Sequence, residues 1–88
     1  MEATLKDISV GPFRVVIAEF KEAGDIMPMH KHTGRGHLSV VAYGNLVSHV
    51  TGYSDVKLRQ QSVAFWPLGT EHSWEAVEPS LLINIFIL

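Results

Sequence analysis

The rhythm of the apolar residues constrains this chain more than any other feature. They recur with period two or in short solid runs, and no stretch beyond about ten residues keeps a helical period. Phe13 to Phe20 is β-branched and aromatic, lies between Gly11-Pro12 and Gly24-Asp25, and reads as a strand. His37 to Tyr43 and Leu46 to Thr51 are two more, joined by Gly44-Asn45, a dipeptide suited to a two-residue hairpin turn. Asp55 to Arg59, Ser62 to Trp66, Ser73 to Val77 and Leu81 to Leu88 complete the set, with turn signals at Gly52, Pro67-Leu68-Gly69-Thr70 and Glu78-Pro79-Ser80. Short strands at near-regular spacing predict an all-β fold, a sandwich or barrel. With 88 residues the chain has room for a single domain, 1–88, and for only a marginal core.

Two segments are apolar on both faces: Leu38 to Tyr43, and Leu81 to Leu88. A strand in a two-layer β fold normally alternates between an apolar and a wetted face. A barrel interior covers one face of each strand; the other needs a second cover, so the pattern predicts a homodimer.

Composition removes several function classes. The chain has no cysteine, which excludes a disulfide scaffold and a thiol nucleophile. A net charge of −2 with no basic cluster gives no footprint for nucleic acid. The longest apolar run, Leu81 to Leu88, is interrupted by Asn84 and falls far short of the roughly 20 residues that span a membrane. Met1 to Asp7 carries no secretory pattern, which makes a cytoplasmic location the expectation. The acidic residues Glu19, Glu22, Asp25 and Asp55 read as solvated strand ends.

Five histidines are unusual for this length, and His30, His32 and His37 lie within eight positions. His30 and His32 are two apart, so on an extended segment both rings share a face while Lys31 points away. Such a pair can hold one metal ion through neutral imidazoles. His37 follows across Thr33-Gly34-Arg35-Gly36, whose glycines permit a tight reversal, and His72 follows the Pro67 turn. If Gly44-Asn45 is a hairpin turn, Val40 faces His49, and His49 then lies on the face opposite His37. His49 is therefore read as surface or interface, not as a ligand.

These spacings resemble those of a known family. Gly24, five residues, His30-Lys31-His32, four residues, His37, six residues and Gly44 look like the first cupin motif, G-x5-H-x-H-x3-4-E-x6-G, over about residues 24–44. Pro67-Leu68-Gly69-Thr70-Glu71-His72 is similar to the core of the second motif, G-x5-P-x-G-x-x-H-x3-N, over about residues 61–76. Three positions depart: His37 stands for the motif's glutamate, Gln61 for its opening glycine and Ala76 for its final asparagine. The resemblance implies a jelly-roll β-barrel with a metal site formed by His30, His32, His37 and His72. An all-imidazole set favours Fe, Zn, Ni, Cu or Co over Mn and Mg. Alternatively His37 stands aside, and water completes a shell of His30, His32 and His72.

Parity with those histidines predicts a chamber lined by Ser39, Val41, Tyr43, Ser48, Val50, Trp74 and Ala76, mostly apolar as small-molecule pockets are. Tyr43 either offers its phenol to a ligand oxygen or is a core tyrosine. Arg35 either captures a ligand carboxylate or is a solvated loop residue. Glu71 and Lys31 point away from the chamber by the same parity, so no general-base carboxylate emerges within it. The resemblance implies a metal-dependent enzyme acting on a small oxygenated molecule, dioxygenase-like or sugar-acid isomerase-like. A non-catalytic small-molecule binding or sensing module and a structural, metal-stabilised dimer are the other readings, since this scaffold hosts many activities.

Overall fold

The computed structural model describes residues 1–31, 37–66 and 71–87, with the backbone alone at residues 29–31. Every regular element among them is a strand: β1 (Thr4–Val10), β2 (Phe13–Phe20), β3 (Ile26–Lys31), β4 (His37–Tyr43), β5 (Asn45–Val50), β6 (Val56–Arg59), β7 (Val63–Trp66), β8 (Glu71–Ala76) and β9 (Ser80–Ile87). No helix among the described residues is long and apolar enough to cross a membrane.

Two antiparallel sheets face each other. The larger runs β1-β2-β9-β4-β7 and the smaller β3-β8-β5-β6. Their facing sides bury Ala18, Phe20, Val41, Leu46, Leu58, Trp66, Trp74 and Leu82 in one core, which is the two-layer solution for short strands with one apolar face each.

The expected hairpin at Gly44-Asn45 does not form. β4 pairs with β7 and β9, whereas β5 pairs with β6 and β8, so the chain crosses from one sheet to the other at Gly44. Gly44 has φ +91°, and a Cβ there meets Ser80 and Pro79, so the crossing needs glycine on two counts. Ser80, fully buried, holds the junction: its Oγ accepts the Asn45 amide at 3.0 Å and donates to the Glu78 carbonyl at 2.7 Å.

Two strands exceed the expected set. β1 is an exposed edge strand that alternates only weakly, and β3 contains Pro28 and a register shift between Met27 and His30. Asp25 is a further correction. Rather than a solvated strand end it is 6% exposed, accepts the Glu22 amide at 3.1 Å and faces the N-terminal ammonium at 3.5 Å. Burial of a carboxylate is tolerated where such partners replace water.

Candidate functional site

Alternation along β4 turns His37, Ser39 and Val41 inward, all at most 4% exposed. On the facing sheet, β8 turns His72, Trp74 and Ala76 inward. His37 and His72 therefore approach from opposite sheets, and their ring centres are 5.5 Å apart. Trp66 packs 4.7 Å from His72 and meets Trp74 edge-on at 5.7 Å, while Phe86 stacks on His37 at 4.5 Å. These aromatic rings wall one side of the pair.

The backbone of His30 lies opposite His72 in the β3–β8 ladder. The side chains of His30 and Lys31 lie outside the described residues, as do His32, Arg35 and the Pro67–Thr70 turn, so their expected roles remain expectations. Among the described residues no group of three potential ligands gathers. Of the expected lining, Ser39, Val41, Ser48, Val50, Trp74 and Ala76 are buried. Tyr43 is the correction: a register shift between Val41 and Tyr43 turns it out, 42% exposed, so it does not line the chamber or reach a ligand there.

His49 faces outward, with Nδ1 3.0 Å from Asp55 and Nε2 3.3 Å from Glu75. Hydrogen bonding to Asp55, then to Glu75, raises its pKa above the ordinary imidazole value. Glu71 is exposed and accepts a hydrogen bond from Thr51 at 2.9 Å.

A buried polar chain beside the pair was not anticipated. Trp66 Nε1 donates to Ser39 Oγ at 2.8 Å, and Ser39 Oγ donates to Asn84 Oδ1. Asn84 is 4% exposed and pairs with Ser39 across β4 and β9. The signal was available: one amide in the otherwise apolar run Leu81 to Leu88, at an inward position, is either satisfied by a partner or destabilising. Trp74 Nε1, also buried, meets no acceptor among the described residues.

The inward row that holds His37 continues across four strands as Trp66, His37, Phe86 and Arg14. Arg14 extends over Phe86, its Cζ 5.8 Å from the ring centre. It donates from Nε and Nη2 to Asp7 on β1, the shortest contact being 2.6 Å. That hydrogen bonding holds the Asp7 carboxyl below the usual carboxylate range.

The sequence matches no protein-family model and no curated protein. Solved structures do match along nearly the whole chain. A structure of KdgF from Halomonas sp. is 24% identical with TM-score 0.82, over 97% of this chain and 79% of that one. An RmlC-like cupin protein from Desulfovibrio desulfuricans is 26% identical with TM-score 0.80, over 96% of this chain and 81% of that one. A protein with a double-stranded β-helix domain from Klebsiella pneumoniae is 17% identical with TM-score 0.85, over 98% and 76%. Two facing antiparallel sheets with strands alternating between them define the class, a double-stranded β-helix. Within that class the chain has the fold of a small cupin.

Proposed function

We propose that this cupin holds a divalent transition metal on its interior histidines and acts as a metal-dependent enzyme on a small oxygenated molecule. The observation that carries the reading is the meeting of His37 and His72, buried and from opposite sheets, at 5.5 Å between ring centres. Two imidazoles sharing one ion at about 2.0–2.1 Å have ring centres roughly 5 Å apart, so the pair fits a common metal. His72 and His37 would hold the ion together with His30 and His32. Bound there, a divalent ion supplies Lewis-acid polarisation of a ligand oxygen.

The chain's own residues supply the rest. Trp66, Trp74 and Phe86 keep water from one side and strengthen polar contacts inside. Ser39 and Asn84 form a neutral hydrogen-bonded pair one inward step from His37, able to orient a hydroxyl, and Trp74 Nε1 is a donor left over for the chamber's contents. The neutrality of these groups favours one second reading, a binding module in which the metal anchors a ligand without turning it over.

The unit is a homodimer in this proposal. The outer side of the larger sheet presents the row Ile8, Val15, Ile85, Leu38 and Phe65 and, beside it, Ile17, Ile83, Val40 and Val63. Up to five strands wide and two rows deep, these residues cover about 24 by 13 Å, on the order of 300 Å² in projection. That is a contiguous apolar patch of the size that marks an interaction surface, and in this proposal a second copy of the same face covers it.

Metal content of the purified protein, measured by elemental analysis, tests the site. His32→Ala and His72→Ala should each lose stoichiometric metal, while His49→Ala keeps it. Equal content in all three variants refutes the ligand assignment.

A further inference from the structure

We propose a second binding site on the outside of the smaller sheet, an open cleft that takes a small phosphate monoester with an apolar body. The site is independent of the interior histidines. The proposed dimer uses the outer side of the larger sheet and leaves this cleft uncovered. Its volume is about 420 Å³, within the range that holds small molecules. The floor is strands β5 and β6 at Leu46 and Leu58, whose side chains belong to the core. Around that floor stand Asn45, Val47 and Val77 on one side and Lys57 and Arg59 on the other.

Alternation builds this arrangement. Asn45 lies opposite Arg59 and Val47 opposite Lys57, so the phase that turns Leu46 and Leu58 inward turns these four outward. Val77, whose amide donates to the Asn45 carbonyl at 3.0 Å, extends the apolar side and is 58% exposed. A cleft with valines along one wall and two cations along the other matches a molecule that is apolar at one end and anionic at the other.

Among the described residues neither Lys57 nor Arg59 has an ion-pair partner. The carboxylates of this face are already engaged. Glu75, opposite Val47, lies 3.3 Å from His49 Nε2, and Asp55 lies 3.0 Å from His49 Nδ1. Glu78 accepts from Asn45 Nδ2 at 2.8 Å. Two residues apart on one strand, the Cα atoms of Lys57 and Arg59 are separated by about 7 Å, close enough for both heads to meet one oxyanion. A phosphate dianion balances both charges and offers oxygens to both heads, whereas a carboxylate balances one. An added peptide strand suits the place less well, because the edge of β6 is closed at Arg59. Its amide donates to Ser62 Oγ at 3.0 Å, and its carbonyl accepts the Ser62 amide at 2.9 Å.

Titration of isotope-labelled protein with phenyl phosphate, followed through its amide NMR signals, tests the proposal, with inorganic phosphate and phenol as the two halves of the probe. Phenyl phosphate should shift the amides of Asn45, Val47, Lys57, Arg59 and Val77 and bind about tenfold more tightly than either half. Lys57→Gln and Arg59→Gln should each weaken it about three- to tenfold, and the double variant more than either, while chelation of metal leaves the titration unchanged. Both side chains are exposed, so unchanged melting temperatures verify that the variants are native. The proposal is overturned by an absence of shifts at millimolar phenyl phosphate, or by equal affinity in wild type and the double variant. Shifts gathered instead on β4 and around His72, or lost on chelation, assign the binding to the interior and overturn it too. Inorganic phosphate or phenol binding as tightly as the whole probe refutes the ligand class.

Discussion

Substituting Gly44 tests whether the crossing between sheets is as tightly specified as its geometry implies. A Cβ at this position runs into Ser80 Oγ and comes within 2.5 Å of the Pro79 carbonyl oxygen and 2.6 Å of Ser80 Cβ. The carbonyl belongs to the backbone and cannot rotate away, so β9 must shift at its first residue or β4 must part from it. Ser80 can swing aside only by giving up the Asn45 amide and the Glu78 carbonyl. Gly44→Ala therefore carries two penalties. A left-handed backbone on a residue with a Cβ costs about 1–2 kcal/mol, and leaving a buried donor or acceptor unpaired costs about 1–3 kcal/mol.

Gly52 separates these terms. Its φ is +81°, close to that of Gly44, and nothing lies within 4 Å of a Cβ built there. Gly52→Ala should lose the backbone term alone, while Gly44→Ala should lose about 2–5 kcal/mol, a large part of the 5–15 kcal/mol that holds an ordinary domain together. In a domain of this size each kcal/mol moves the melting point by about 4–8 °C, so the two variants should be readily told apart by calorimetry or urea unfolding. If Gly44→Ala unfolds with the same midpoint as Gly52→Ala, the close approach to Pro79 and Ser80 has no energetic weight, and the account of the crossing is wrong.

Three other outcomes follow from named contacts. Gln61 has φ +69°, the one positive φ outside glycine among the described residues, and stands where the second cupin motif has glycine; Gln61→Gly should raise stability by up to about 1 kcal/mol in urea unfolding, and a loss would contradict the strain. His49 should titrate above the ordinary imidazole value by proton NMR and return toward it in Asp55→Asn. Because the folded pKa is raised, its contribution to stability is complete below the unfolded value of about 6.5 and disappears as pH climbs through the folded one. Phe65 is 63% exposed at the end of the apolar row, so Phe65→Glu should convert a dimer into a monomer by sedimentation velocity, and a wild type that sediments as a monomer at micromolar concentration contradicts the interface.

What could be read from the sequence was local, and what could not was a matter of which strand meets which. Alternation alone turned Ser39, Val41, Ser48, Val50, Trp74 and Ala76 inward, and all six are buried. This holds although the hairpin from which part of that register was argued does not exist, because side-chain parity belongs to a strand and not to its partner. The partners themselves are distant: β4 lies beside β9, some forty positions along the chain, and no dipeptide announces such a pairing. Tyr43 failed because a bulge breaks parity for one residue, and bulges have no period to detect. β1 failed for want of a face, since all seven of its residues are exposed. Trp66 and Phe86 read as ordinary strand apolars, and only the assembled inward row shows them against the two histidines.

Placing polar chemistry inside so small a barrel has a consequence for its outside. Ser39, Ser48, Ser80, Asn84, Asp25, His37 and His72 are all buried, and each occupies interior volume that an aliphatic side chain would otherwise fill. Satisfied hydrogen bonds return little net stability compared with apolar burial, so the interior around the histidines contributes less than its volume suggests. A chain of 88 residues has little core to spare. The same strands that turn His37, Asn84 and Phe86 inward turn Leu38, Ile83 and Ile85 outward, on the opposite phase of one alternation. In the proposed dimer, burying that outer face against a second copy would recover apolar area that the interior polar groups displace. If both proposals hold, association and the interior site are two phases of one strand pattern; the dimer should then melt at a temperature that rises with protein concentration, and a variant that loses it should melt earlier and without that dependence.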